Sequence, residues 1–435
     1  MKKTVRIAAI AAAAALAATG VALAPAQAAA TKTFNIWWWE NTTTAQDKAW
    51  SAALKEFKKL HPDVKVNFQR KVFEQVQKAG ISILQSNSAP DLTEWNKGNA
   101  TAGLAVKGKL LTDLTPFVKK YKWNKTLGSS VLLYGQYSPA GLMGSGKQYG
   151  ISTYGEYVSV FYNKDLFDKY GVKIPTTNAE LEAAMATFKK NGVIPMQLGG
   201  KDYQNVHLMY ALALQDASQA WVKSFQLFQG TPTNFDVNSA QWGRAAQQAA
   251  KWNKAGYFEP NVAGVTADDA VQAFEQGNSA MILGGSWLDQ KIYDDVQVAK
   301  KFNFGKFLLP GVTAGKGLTV GSAGNLFVIP TKSKQKALAA EFINLTLTKK
   351  YQNMLGNAGG LALLADPAAI TNAAAQKTLP AFVKAVKANS LGMYPDWPVN
   401  GFYETLRAAG QQLLSDNDAA AYVKTIGDFY NQNKP

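Results

Sequence analysis

Cysteine is absent from the 435 residues. That excludes disulfides, thiolate nucleophiles and cysteine-ligated metals, and it leaves no side chain for a thiol-linked lipid anchor. Histidine is almost absent as well, with only His61 and His207. No His-x-x-x-His or Cys-x-x-Cys pair exists, so no metal or other cofactor is expected. His61 precedes a proline at a helix end and reads as a capping or surface residue. No G-x-S-x-G elbow is present. Beyond the N-terminus, no stretch reaches the ~18 uncharged apolar residues of a membrane span. Acidic residues are fewer than basic ones, 30 against 46, giving a net charge of +16. The lysines are scattered and never run to five. This favours adsorption to an acidic cell envelope over nucleic-acid binding.

What is present suits a globular protein: 47% hydrophobic and 17% charged residues, on a chain long enough for two or three domains. Residues 1–28 read as an export signal. Lys2, Lys3 and Arg6 precede an uncharged Ala/Leu/Ile/Val run, and Ala26-Gln27-Ala28 after Pro25 is a cleavage site. Without those three cations the balance is +13. The expected location is exported: extracellular, cell-surface associated or periplasmic.

Residues 34–39 read as a buried strand. A helix follows from Thr44, with Trp50, Ala53, Leu54, Phe57 and Leu60 on one face, and Pro62 stops it. Residues 64–68 alternate as a strand, 73–85 form a helix, and 91–95 form a third strand. This alternation is a parallel-sheet signature. A second α/β series starts at a helix over 179–191 and includes strands over 193–198 and 280–283. The tail from Ala373 is helical, broken at 394–398. Gly141 to Lys147 fits G-x-x-x-x-G-K, but Gln148 stands where a Ser or Thr would hold magnesium, and a strand follows, not a helix. It reads as a flexible loop.

The stretch 148–172 organises the chain. Residues 149–162 are extended, a short helix follows Asn163, and Gly171 ends it. Here the chain is expected to pass from one lobe to a second, placing Tyr154 and Glu156 at a cleft. Aromatic residues recur at predicted strand ends: Trp37, Trp38 and Trp39, Trp95, Tyr154 and Tyr157, Trp287, and Trp397. Ligands bind outside the carboxyl ends of strands in open α/β sheets. Flat rings beside Asp, Glu and Asn suit a solute with apolar faces and a hydroxyl rim, as a sugar has. Trp38-Trp39-Glu40 and Trp95-Asn96 offer that mixture. Alternation sends neighbours in the tryptophan triplet to opposite faces, so at least one belongs to the core. Trp50, Trp242 and Trp252 sit on apolar helix faces and read as core. Trp287 follows two glycines that let backbone approach a ligand. Glu156, in an apolar strand, needs a partner if buried. Either it accepts hydroxyls in the cleft or it forms a hinge salt bridge to a lysine.

Several segments resemble the extracellular solute-binding proteins of ABC importers, in the carbohydrate-binding group that includes maltose-binding protein. These are Gly150 to Val172, with Tyr162-Asn163-Lys164-Asp165-Leu166-Phe167 its most specific part; Ala89-Pro90-Asp91-Leu92 with Trp95; Leu110 to Pro116; Phe274 to Met281; Gly285-Ser286-Trp287; and Ser322-Ala323-Gly324-Asn325, which looks like the return to the first lobe. The likeness covers nearly the whole mature chain. It implies an α/β, two-lobe periplasmic-binding-protein-like fold, each lobe a mainly parallel sheet flanked by helices, joined by a hinge. The first lobe would be 29–153 plus 305–355, and the second 154–304 plus 356–435. Ligand contacts are implied at Trp95, Glu156 and Trp287, and by position at Trp39, Glu40, Tyr154 and Asn325. The implied activity is capture of an oligosaccharide and its delivery to an ABC permease, by a monomer without catalysis. The alternatives are a secreted glycoside hydrolase, which paired carboxylates would serve, and a same-fold protein for a non-sugar solute.

Overall fold

The computed structural model describes residues 32–388 and 390–434. The export signal expected over 1–28 lies outside the described residues. Thirteen strands occur among the described residues, in chain order: β1 Lys32–Trp38, β2 Val64–Arg70, β3 Leu92–Trp95, β4 Gln136–Tyr137, β5 Lys147–Gln148, β6 Gly150–Ser152, β7 Tyr154–Asn163, β8 Ile194–Gln197, β9 Ser279–Gly285, β10 Phe304–Phe307, β11 Gly321–Ala323, β12 Leu326–Val328 and β13 Leu361–Ala362.

The first sheet has the order β2-β1-β3-β12-β6. Helix α1, Ala45–Leu60, covers one face. Thr44 starts it by accepting from the Asp47 amide, and Ala49, Trp50, Ala53, Leu54 and Phe57 are buried. Helix α2, Phe73–Gln85, has the expected bounds. The second sheet is built on β10-β7-β9-β8. β8 runs parallel to β9, and β7 runs against both β9 and β10. In the first sheet β12 runs against its neighbours β3 and β6. Each sheet is therefore parallel except for one strand that carries the chain between sheets.

The chain crosses three times, at neighbouring points. It leaves the first sheet at Thr153, between β6 and β7. It returns at Gly324, where the amide donates to the Tyr154 carbonyl at 2.6 Å. It leaves again through β13 after the helix Lys349–Asn357, which packs on α1. β11 and β13 flank the start of β7, pairing Ser322 with Glu156 and Leu361 with Gly155. The expected return at residue 305 is thus corrected. β10 and β11 both pair with β7, so residues 305–323 stay with the second sheet. The apolar strand at 302–309 has nothing local to say which lobe it joins.

The helix Lys164–Lys169 is capped by the Asn163 side chain, and Gly171 follows with φ +65°. The C-terminal helices Phe402–Asp416 and Ala419–Asn433 pack together and against the second-lobe helix Trp242–Lys254. Trp50, Trp242 and Trp252 are core, as their spacing predicts. The segment 141–147 turns into the short strand β5, not into a helix. His61 ends α1 and meets Glu341 at 2.9 Å.

Candidate functional site

β1 and β3 end side by side, and the residues just beyond them leave the sheet together. Trp39 and Glu40 follow β1, and Asn96 and Lys97 follow β3. The Trp39 amide donates to Glu94 Oε2 at 3.0 Å, which ties the two ends. Lys97 has no exposed side-chain surface, and its Nζ lies 2.7 Å from Glu156 Oε1. Nζ also reaches Asn325 Oδ1 at 3.5 Å, and Asn325 Nδ2 reaches Glu94 Oε1 at 3.4 Å. The Lys97 cation stands 5.1 Å from the ring centre of Trp397 and 6.0 Å from that of Tyr394. The Asn96 side chain lies close enough to Asp396 to oppose the rise of its carboxyl. Glu40 lies close to the Thr44 hydroxyl and the Glu94 carboxyl, and both oppose the rise of its own carboxyl.

Four carboxyl groups therefore gather around one ammonium. Burial raises Glu40 to about 7, with the Glu156 charge adding to it. Burial, and then the charge of Glu40, holds Glu94 well above the ordinary range. Burial lifts Asp396 to about 6, against the opposing pull of Lys97. Burial lowers Lys97, and Glu156 holds it up.

The second lobe adds an aromatic corner. β9 ends at Gly285, and a single turn carries Trp287, which is half-buried. Its ring meets Tyr203 edge-on at 6.1 Å and His207 at 5.8 Å, and His207 meets Tyr394 at 5.4 Å. Tyr203 and His207 lie one turn apart on the helix Tyr203–Leu214. Burial drives His207 down to about 3, so its imidazole is neutral at physiological pH. Gly284 and Gly285 are not there to make the turn. Neither has a positive φ, and a Cβ on Gly285 would lie 2.1 Å from the Trp287 ring.

The structure brings Glu40, Asn96, Glu156, Asn325 and Trp397 into this cluster, and it sets Trp39 and Trp287 half-buried beside it. Three sequence candidates are buried. Trp38 is fully buried in the first-lobe core, between Trp50 and Phe68, and its Nε1 donates to Asp47 at 2.7 Å. Tyr154 is 1% exposed and packs on Trp50, with its hydroxyl close enough to feel the charges of Glu156, Glu40 and Glu94. Trp95 is 4% exposed with its ring against Gly80 of α2. All three point inward because strand alternation turns them toward helices. For Glu156, the structure selects the salt bridge to a lysine. The cation itself, Lys97, escaped the sequence reading, as did Tyr203, His207, Tyr394 and Asp396. Lys97 follows Trp95-Asn96 at a strand end, a position that already signals a ligand-facing residue.

The lobes also touch away from the crossings. Asn99 Nδ2 donates to the carbonyls of Gln226 and Pro398, and the Ala100 amide donates to the Trp397 carbonyl at 3.0 Å. A cavity of about 10 Å³ remains between the start of α1, Trp287 and residues 359–361. A larger one, about 750 Å³, lies on the outer second lobe between Lys189, Glu259 and Leu414, away from the cluster.

The chain matches the family model of the bacterial extracellular solute-binding protein over residues 41–353. It is 24% identical over 364 residues to the diacetylchitobiose binding protein DasA of Streptomyces coelicolor, covering 80% of this chain and 77% of that one. It is 23% identical to the multiple sugar-binding protein of Streptococcus mutans, covering 64% of this chain and 61% of that one. A solved chitin oligosaccharide binding protein shares the fold, with a TM-score of 0.77 and 21% identity, over 92% of this chain and 98% of that one. Its fold, and a family match running from the end of β1 to the helix that precedes the third crossing, make this chain a member of the bacterial extracellular solute-binding proteins.

Proposed function

We propose that the protein captures an oligosaccharide between its lobes and presents it to an ABC permease. One observation carries the reading: half-buried indoles stand at the carboxyl end of a strand in each lobe, Trp39 and Trp287, near the half-buried carboxyls of Glu40, Glu156 and Asp396. Rings stack on the C–H faces of a sugar, while Glu40, Asp396 and Asn96 accept or donate at its hydroxyl rim. The named ligands of the relatives favour chito-oligosaccharides as the first class to try. Stacking at ~0.5–1.5 kcal/mol per ring and charge-assisted hydrogen bonds at ~1.5–3 kcal/mol reach about −8 kcal/mol, a micromolar affinity. The sugar enters an open form, and the lobes close over it. Binding and release are the whole activity. The protein is exported and acts as a monomer.

Calorimetric titration with N-acetylchito-oligosaccharides, malto-oligosaccharides and raffinose tests this, with product analysis alongside. Micromolar binding of one class without cleavage products supports it. No binding across the panel, or turnover, sinks it. A second reading rests on the charge count at the cluster. Four carboxyl groups against one lysine suit a cationic solute, so spermidine and glucosamine oligomers belong in the same titration.

A further inference from the structure

The net charge of the protein is confined to one lobe. The segments that carry the first sheet and its helices, 32–152 and 326–357, hold 22 Lys and Arg against 9 Asp and Glu, a balance of +13. The remaining segments, 153–325 and 358–435, hold 21 of each and are neutral. The sequence shows scattered lysines because the two basic segments lie far apart along the chain. The fold brings them together.

Within the first lobe the cations concentrate on the helical layer over one face of the sheet. Lys55, Lys58 and Lys59 project from α1, and Lys119, Lys122 and Lys125 from the turns over 115–126. All six are exposed. The helix Lys336–Thr346 joins the two groups. It packs on α1, and its Asn344 accepts from Trp123 Nε1 at 3.1 Å. Phe57, Val118, Trp123 and Phe342 share one core beneath this layer. Three nearby acids already have partners. Glu56 is bound by Lys350 and by the Tyr351 hydroxyl, Glu341 by His61, and Asp113 by Lys147. None of the six lysines makes a salt bridge among the described residues. Leu60, next to Lys58 and Lys59 at the end of α1, is 58% exposed.

We propose that this face of the first lobe adsorbs to a bilayer surface rich in anionic phospholipid headgroups. Lysines held near such a surface are attracted within a Debye length, and an exposed leucine gains by entering the interface. Leu60 favours the bilayer over a soluble polyanion, which offers an apolar side chain nothing. A neutral second lobe feels no such pull, so the molecule settles with one lobe on the membrane and the other free.

Vesicle sedimentation of the mature chain tests this, using equal parts phosphatidylglycerol and phosphatidylcholine against phosphatidylcholine alone. Binding to the anionic vesicles at about 20 mM salt and its loss at about 500 mM are expected. Lys55→Gln/Lys58→Gln/Lys59→Gln should weaken partitioning by about a hundredfold. Lys190→Gln/Lys223→Gln/Lys254→Gln removes equal charge from the second lobe and should change it less than about threefold. Leu60→Ser should weaken it further in either background. Equal losses from the two triple variants would show that total charge, not this face, is responsible, and would overturn the proposal. So would equal binding to the neutral vesicles, or no effect of Leu60→Ser together with complete competition by a soluble glycerol-phosphate polymer. Unchanged melting temperatures confirm that the variants fold.

Discussion

Lys97 and Glu156, 59 positions apart in sequence, form an ion pair 2.7 Å long at the point where the chain first crosses between lobes. A buried ammonium is costly without its counter-charge, and so is the reverse. Lys97→Met should therefore destabilise the protein by ~3–5 kcal/mol, while Lys97→Met/Glu156→Leu should recover much of that loss. Urea midpoints of the two single variants and the double variant measure the coupling. Additive losses would mean that the pair contributes nothing as a pair.

Two tryptophans should separate stability from binding. Trp38→Ala removes a fully buried ring and should cost ~3–5 kcal/mol. Trp287→Ala removes a half-buried ring at the cleft. It should lower sugar affinity by about tenfold or more while shifting the melting temperature little. Melting curves and titration calorimetry on both variants provide the contrast. Unchanged affinity in Trp287→Ala would move the cleft elsewhere.

Gly285→Ala offers a finer probe. The φ of −85° suits alanine, but the new methyl would meet the Trp287 ring at 2.1 Å. The indole must swing away. The expected result is a folded protein with tryptophan fluorescence altered and sugar affinity reduced by about tenfold. Wild-type affinity would show that the indole's position does not matter.

Stability should fall as pH rises from about 4 to 7. Glu40 and Asp396 have raised values in the folded state, about 7 and about 6, against ordinary values of 4.5 and 3.8. Between those limits the folded state holds more protons than the unfolded one, so each added pH unit favours unfolding. Thermal melts across this window should decline toward neutral pH. Glu40→Gln should flatten the decline, and an unaltered slope in that variant would remove Glu40 as its cause.

Local signals made much of the fold legible. Thr44 and Asn163 cap the helices they precede, Pro62 follows the end of α1, and α2 keeps its expected bounds. Alternation correctly required a core residue within Trp37–Trp39, but could not say which face of β1 meets the helices. That depends on Asp47 and Phe342, which lie further along the chain. Site residues on the carboxyl ends of strands, such as Glu40 and Asn96, were accessible because position alone selects them. Lys97 with Glu156, and Asp396 with Asn96, were not, because pairing across tens or hundreds of residues leaves no local pattern. The resemblance of the segment Ser322 to Asn325 pointed to the return to the first lobe, and the chain does return at Gly324; the boundary drawn at 305 missed it for the same reason. Its evidence is that β10 and β11 pair with β7, a fact of register.

β11, β7 and β13 lie side by side where the chain passes between the two sheets. A hydrogen-bonded ribbon three strands wide bends out of its own plane but resists shear within it. Relative motion of the two sheets is thereby restricted to something like the swing of a book about its spine. Few wrong juxtapositions are accessible, so little orientational entropy is lost when the halves meet. A single proteolytic nick in one crossing would still leave the covers bound by the other two.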